Sequence, residues 1–314
     1  MPTRQGSIRL FKLAGITVFL HWSWFLVAAY EIQTRGHSYS SILWNVLEYL
    51  SLFVIVTMHE FGHALACRSV GGTANQIVLW PLGGVAYVDP PPRPGAALWS
   101  IAAGPLVNVI LFPLLTIGMI AAGAGWEDSH RNAYEFICVV WVINLGLLIF
   151  NVLPVYPLDG GQILRSLLWF VLGRARSLMV AVVLGILGVV ALAIWAVCWK
   201  PMIVQVQGFW LAIMAVFILL NCWRGLQNAR VLARLAALPR RDGFACPACH
   251  AAPPLGELWK CGKCGTAFDT FLTQATCPNC GTQFEIARCI DCGQLNPISA
   301  WSVSAPVPPA IPSA

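Results

Sequence analysis

Five stretches of this chain carry no Asp, Glu, Lys or Arg: 13–30, 95–126, 136–158, 177–199 and 201–223. A helix needs about 20 apolar residues to cross the hydrocarbon layer of a bilayer, and each stretch is near or beyond that length. In hydrocarbon every backbone polar group must be paired within the chain, so such stretches fold as helices. Only 10% of the 314 residues are charged, against about 25% in an ordinary soluble domain, and 58% are hydrophobic. A soluble globule and a disordered chain are both excluded. The net charge of +6 lies in the flanks of the apolar runs and gives no reason to expect nucleic acid as a partner. The first run lacks a small-residue cleavage site and reads as a span, not as a signal peptide.

A further apolar run, 42–67, is interrupted by Glu48, His59, Glu60 and His63. Counting it, six spans are expected, at about 15–31, 42–67, 97–122, 134–158, 178–199 and 203–223. The fold class is an all-α polytopic membrane protein of six transmembrane helices. Lys and Arg collect on one side: Arg4, Arg9, Lys12, Arg68, Arg93, Arg165, Arg174 and Arg176, then Arg224, Arg230, Arg234, Arg240 and Arg241. The other side holds Arg35, Arg131 and Lys200. The positive side faces the cytoplasm, which places both termini there in a multi-pass protein of the cell membrane. Residues 72–90 are too short and broken to span. Gln76–Trp80 and Val85–Val88 flank Pro81-Leu82-Gly83-Gly84 and predict a small membrane-associated β-hairpin, whose edge is open to another strand. The expected organisation is a six-span domain over 1–223, a basic helical linker over 224–243, a cysteine-rich domain over 244–293 and a disordered tail over 294–314.

His59-Glu60-Phe61-Gly62-His63 reads H-E-x-x-H. On a helix its two imidazoles lie about 40° apart and one turn along the axis, so both reach one ion, and Glu60 is free to address a water there. Three ionisable groups in five residues of a span are costly unless they serve a function. Two histidines leave zinc one protein ligand short. The only acid in the second half of the membrane region is Asp159, set among the helix breakers Pro154, Pro157, Gly160 and Gly161. Measured from Arg68, His59 and His63 lie about 14 and 8 Å deep, and Asp159 lies about 9 Å from Arg165, all near the cytoplasmic side. The loosened backbone beside Asp159 suits a water-filled cavity, and hydrolysis needs water. His21 lacks partners of this kind and reads as an interfacial residue beside Trp22 and Trp24.

With His59–His63 on one span, Gly104-Pro105-x-x-Asn108 on the next and Asn151-x-x-Pro154-x-x-Pro157-Leu158-Asp159-Gly160 on a later one, residues 8–225 resemble the site-2 protease family of intramembrane zinc metalloproteases. The resemblance implies catalytic zinc on His59, His63 and Asp159, with Glu60 as general base. It also implies Asn151 and Asn108 as groups steadying the oxyanion or the substrate strand, and Gly83-Gly84 in the hairpin as substrate-binding. The expected reaction is hydrolysis of peptide bonds in membrane-spanning proteins near the cytoplasmic face. A substrate helix would unwind there and add as a strand to the 76–88 hairpin.

Eight of the twelve cysteines form four C-x-x-C pairs: Cys246/Cys249, Cys261/Cys264, Cys277/Cys280 and Cys289/Cys292. Each pair sits beside Gly or Pro, as knuckle turns require, and four thiolates hold one tetrahedral zinc. Two structural Zn²⁺ ions in a small β domain of tandem zinc ribbons are expected, since about 50 residues supply too little core to fold alone and the cytoplasm disfavours disulfides. Spacing does not decide which pairs share an ion, sequential pairing being simplest. A protein partner at the ribbons is one use for them. An alternative to the peptidase is a catalytically inactive scaffold that binds helices and recruits partners through the ribbons; the complete His59, Glu60, His63 and Asp159 set argues against it. A zinc transporter would need a second, exit-side set of ligands, for which the spans hold too few carboxylates and histidines.

Overall fold

A computed structural model describes residues 6–35, 39–80, 83–126, 130–198 and 202–301. Arg4, His37, Lys200, the turn residues Pro81 and Leu82, and 302–314 lie outside the described residues. The chain divides into two units, one of 1–90 with 94–229, the other of 91–93 with 230–314.

The first unit opens with strands β1 (Ser7–Leu13) and β2 (Ile16–His21), followed by helix α1 (Ser23–Arg35) and helix α2 (Ile42–Ser69). The first expected span is therefore corrected. Its charge-free run carries β-branched Ile16, Thr17 and Val18, and Ile16 and Val18 alternate into the core as a strand requires. What remains, α1, has 13 residues, about 20 Å at 1.5 Å per residue, short of the hydrocarbon thickness. Helix α2 starts on Ser41, whose side chain accepts a hydrogen bond from the Leu43 N–H.

Strands β3 (Thr73–Trp80) and β4 (Gly83–Asp89) pair antiparallel, as the hairpin reading expected. The hairpin is half of a four-stranded sheet in the order β1-β2-β3-β4, with β2 parallel to β3. One edge of the hairpin is thus already paired, and the outer edge of β4 has no partner strand among the described residues. Ile16, Val18, Ala74, Ile77 and Leu79 of the sheet bury against Val56, Ala64 and Cys67 of α2, fixing the sheet to the helix that bears the histidines.

Helices α3 (Pro94–Trp126), α4 (Arg131–Val152), α5 (Asp159–Cys198) and α6 (Met202–Ala237) follow. Helix α3 packs against α2, α4 and α5. Four helices among the described residues, α2 to α5, are long and apolar enough to cross a membrane. The expected fourth span stops at Val152; an irregular 153–158 carries the two prolines, and Gly160 and Gly161 fall inside α5. Gly173, with φ 77°, interrupts α5. The expected sixth span begins α6, and no break separates it from the basic residues that follow: one helix runs from Met202 to Ala237.

In the second unit two small antiparallel hairpins form, β5 (Trp259–Lys260) with β6 (Ala267–Phe268), and β7 (Ile286–Arg288) with β8 (Leu295–Pro297). Residues 294–301, expected in the tail, are folded: β8 is followed by a 3-10 turn, Ile298–Trp301, and Trp301 is 1% exposed. Its ring centroid lies 5.0 Å from that of Phe271, in a core shared with Cys246, Ala287 and Cys289. Arg240 and Arg241, expected in the basic helical linker, lie beyond the end of α6 at Ala237 and pair within the unit with Asp291 (2.6 Å) and Asp269 (2.6 Å).

Candidate active site

His59 and His63 stand one turn apart on α2, and Asp159 is the first residue of α5, where a carboxylate also suits the positive end of the helix dipole. The break at 153–158 between α4 and α5 places that residue beside α2. His59 Nε2 lies 3.0 Å and His63 Nε2 3.3 Å from Asp159 Oδ2, and the two Nε2 atoms are 3.1 Å apart. Tetrahedral zinc with bonds near 2.0–2.1 Å separates its ligand atoms by about 3.3 Å, so the triad has the size of a zinc site.

The donor chemistry agrees. His63 Nδ1 lies 2.9 Å from the main-chain carbonyl of Ser100, which can only accept, so Nδ1 carries the proton and Nε2 presents a lone pair. His59 Nδ1 faces Asn108 Oδ1 at 2.7 Å. Two Nε2 lone pairs and a carboxylate oxygen converging in a buried site repel unless a cation lies among them. All three donor atoms lie within 4.8 Å of one another.

Room for this cluster is made by glycine. A Cβ on Gly104 of α3 would stand 2.2 Å from His63 Nε2 and 2.8 Å from His59 Nε2. Glu60, 6% exposed, turns from the triad's face toward β4, where its Oε2 accepts a 2.7 Å hydrogen bond from the Ala86 N–H. A Cβ on Gly84 would stand 2.2 Å from Glu60 Cγ, so β4 approaches the carboxylate only because that residue is glycine. Gly83 (φ 133°) has nothing within 4 Å of its Cβ position.

Of the two asparagines, Asn108 is fully buried behind His59, with its Oδ1 facing His59 Nδ1 and its Nδ2 facing Asn144. Asn151 is half-buried at the end of α4 and takes no part in the network around the triad. Sequence reading missed Ser100 and Asn144. Ser100, Gly104 and Asn108 follow the four-residue spacing of one helix face, a signal the sequence carries, whereas Asn144 is one of two amides in the charge-free run 136–158 and nothing in that run announces its partner on α3.

The cysteines form two clusters, Cys246/Cys249/Cys289/Cys292 and Cys261/Cys264/Cys277/Cys280. The pairing that spacing leaves open is nested: the C-terminal hairpin and Trp301 carry the last pair back to the first, while Phe268 and Phe284 stack around the inner two. Sulfur separations of 3.6–3.7 Å match about 3.8 Å for tetrahedral zinc thiolate and exceed a disulfide bond.

The family model described as Peptidase family M50 matches residues 48–126 and 115–195, which include the H-E-x-x-H helix and Asp159. The Bacillus subtilis protein YwhC is 30% identical over 156 residues, covering 39% of this chain and 70% of YwhC. This chain belongs to peptidase family M50. That is the site-2 protease family, whose motifs the sequence carries. Another relative, a zinc metalloprotease of Methanocaldococcus jannaschii, is 37% identical over 181 residues, 57% of this chain and 50% of that protein. The chain thus spans about half the length of this relative. The solved structure of a site-2 protease from the same organism aligns with a TM-score of 0.49 and 28% identity, over 70% of this chain and 95% of that one.

Proposed function

We propose that this chain is an intramembrane zinc endopeptidase that cleaves membrane-spanning proteins near the cytoplasmic face. The observation that carries the reading is the meeting of His59, His63 and Asp159 from two apolar helices within 4.8 Å, with Glu60 one residue from the first ligand. The three residues would hold zinc, which as a Lewis acid polarises a carbonyl and makes water more acidic.

Every other part of the reaction falls to the chain itself. A substrate helix has its carbonyls paired internally and must unwind to be cut. The outer edge of β4 replaces the lost bonds by strand addition, which main-chain hydrogen bonding favours. At Ala86 that edge is held by Glu60. A substrate strand that takes the Ala86 N–H releases the Glu60 carboxylate to accept a proton from water and pass it to the leaving amine. Asn151, next to the broken segment, is the amide best placed by sequence for steadying the oxyanion or the substrate strand. Arg68, Arg93, Arg165, Arg174 and Arg176 support the cytoplasmic assignment of this end. The two cysteine clusters would each hold one structural zinc and make the second unit a platform for a protein partner.

The test is Glu60→Gln in the purified chain reconstituted with a membrane-spanning substrate. A general base is worth roughly 10²–10⁴ in rate, so cleavage should fall by that factor while zinc content stays at the wild-type level. Undiminished cleavage would remove Glu60 from the role of base, and a zinc-loaded wild-type chain that cleaves nothing would favour the scaffold instead.

A further inference from the structure

The hydrogen bonds behind His59 form a chain with one end that cannot be reversed. Asn108 of α3 and Asn144 of α4 are both fully buried. Asn144 Nδ2 lies 3.1 Å from the main-chain carbonyl of Asn108, and Asn144 Oδ1 lies 2.9 Å from Asn108 Nδ2. Asn108 Oδ1 is in turn 2.7 Å from His59 Nδ1. A side-chain amide can turn end for end with little change in shape. A main-chain carbonyl has no such freedom, because it only accepts. The Asn108 carbonyl therefore obliges Asn144 to bring its NH₂ there and its oxygen to Asn108. That oxygen obliges Asn108 to point its NH₂ at α4 and its own oxygen at His59. His59 must then carry its proton on Nδ1, which leaves the Nε2 lone pair facing His63 and Asp159.

We infer that Asn144 is a positioning residue for the metal site: it touches no ligand and, through Asn108, sets the tautomer in which His59 can bind a cation. The inference rests on the reading of His59, His63 and Asp159 as metal ligands. His63 needs no such relay, since the Ser100 carbonyl acts on it directly. Without the amide of Asn144, Asn108 is free to turn its NH₂ toward His59. In that arrangement the His59 proton moves to Nε2, where it blocks the ion. Partners that orient metal-bound histidines are typically worth 10–100-fold in metal affinity.

The full chain, purified and loaded with zinc, is dialysed against a graded chelator series, and the retained zinc is measured. The share that His59→Ala fails to retain defines this site. Asn144→Leu, of similar size and better suited to an apolar interior, is expected to release that share at about 10–100-fold lower chelator than wild type. Asn144→Asp keeps an acceptor for Asn108 Nδ2 and, protonated, a donor to the Asn108 carbonyl; it is expected to stay within a few-fold of wild type. Val140→Ala, one turn away on α4, lowers stability by removing buried methyl groups but should leave the chelator midpoint unmoved. A role in packing alone predicts the reverse order, with leucine retaining zinc better than aspartate. That order, or a leucine variant that releases zinc as wild type does, overturns the inference. Should the leucine variant not fold, Asn144→Ala carries the same expectation. If wild type and His59→Ala hold equal zinc, the ligand reading itself fails and takes this inference with it.

Discussion

At the scale of single residues, the site depends on an atom that is missing. A Cβ on Gly104 would stand 2.2 Å from His63 Nε2, far inside van der Waals contact, and the atom it meets belongs to a ring held in place by the Ser100 carbonyl. Gly104→Ala should therefore abolish zinc at the triad and with it cleavage, while the cysteine clusters keep theirs. Zinc content per chain, measured beside an unchanged helical circular dichroism spectrum, checks this. The residues of the cluster were legible in the sequence, because His59, Glu60 and His63 carry a spacing with a direct geometric meaning on a helix. Asp159 was legible for a different reason: a lone acid among helix breakers in a membrane region has few other uses. Asn144 was not, since its meaning comes from a partner on α3 that no spacing within α4 announces. Asn108 was picked out, but not its contact with His59, which comes from a different helix.

At the scale of elements, β4 joins the sheet to the chemistry. The Ala86 N–H points away from β3 and toward Glu60, so Ala86→Pro removes that donor without removing a rung of the β3–β4 ladder, a position where a strand tolerates proline. We expect cleavage to fall by about two- to tenfold, the worth of the main-chain hydrogen bond a substrate strand takes there, with zinc content unchanged. A cleavage rate equal to that of wild type would mean that the edge is not used. The hairpin was legible because apolar runs flank a glycine turn. Its membership of a four-stranded sheet was not, because β2 lies inside a charge-free run that satisfies a helix and a strand equally until Gly15 and the alternation of Ile16 and Val18 decide. In the same way the composition of 294–301 reads as tail, and only the burial of Trp301 against Phe271 shows a fold. The nested pairing of the cysteines likewise follows from that aromatic core, a long-range contact outside the reach of spacing.

At the scale of the whole molecule, two units carry separate cores, one of apolar helices and a sheet, the other of aromatic rings and thiols around two cysteine clusters. The second has too few apolar residues to hold without metal. A strong chelator should abolish hydrogen-exchange protection in 244–301 while 42–69 and 94–152 keep theirs; equal loss in both would show one cooperative unit. The account as a whole stands on one ion shared by α2 and α5. Anomalous diffraction at the zinc edge from crystals of the full chain tests it most directly. A peak 2.0–2.2 Å from His59 Nε2, His63 Nε2 and Asp159 Oδ2 together is the predicted result. A map with zinc at the cysteines and no peak bonded to all three of those atoms would contradict it.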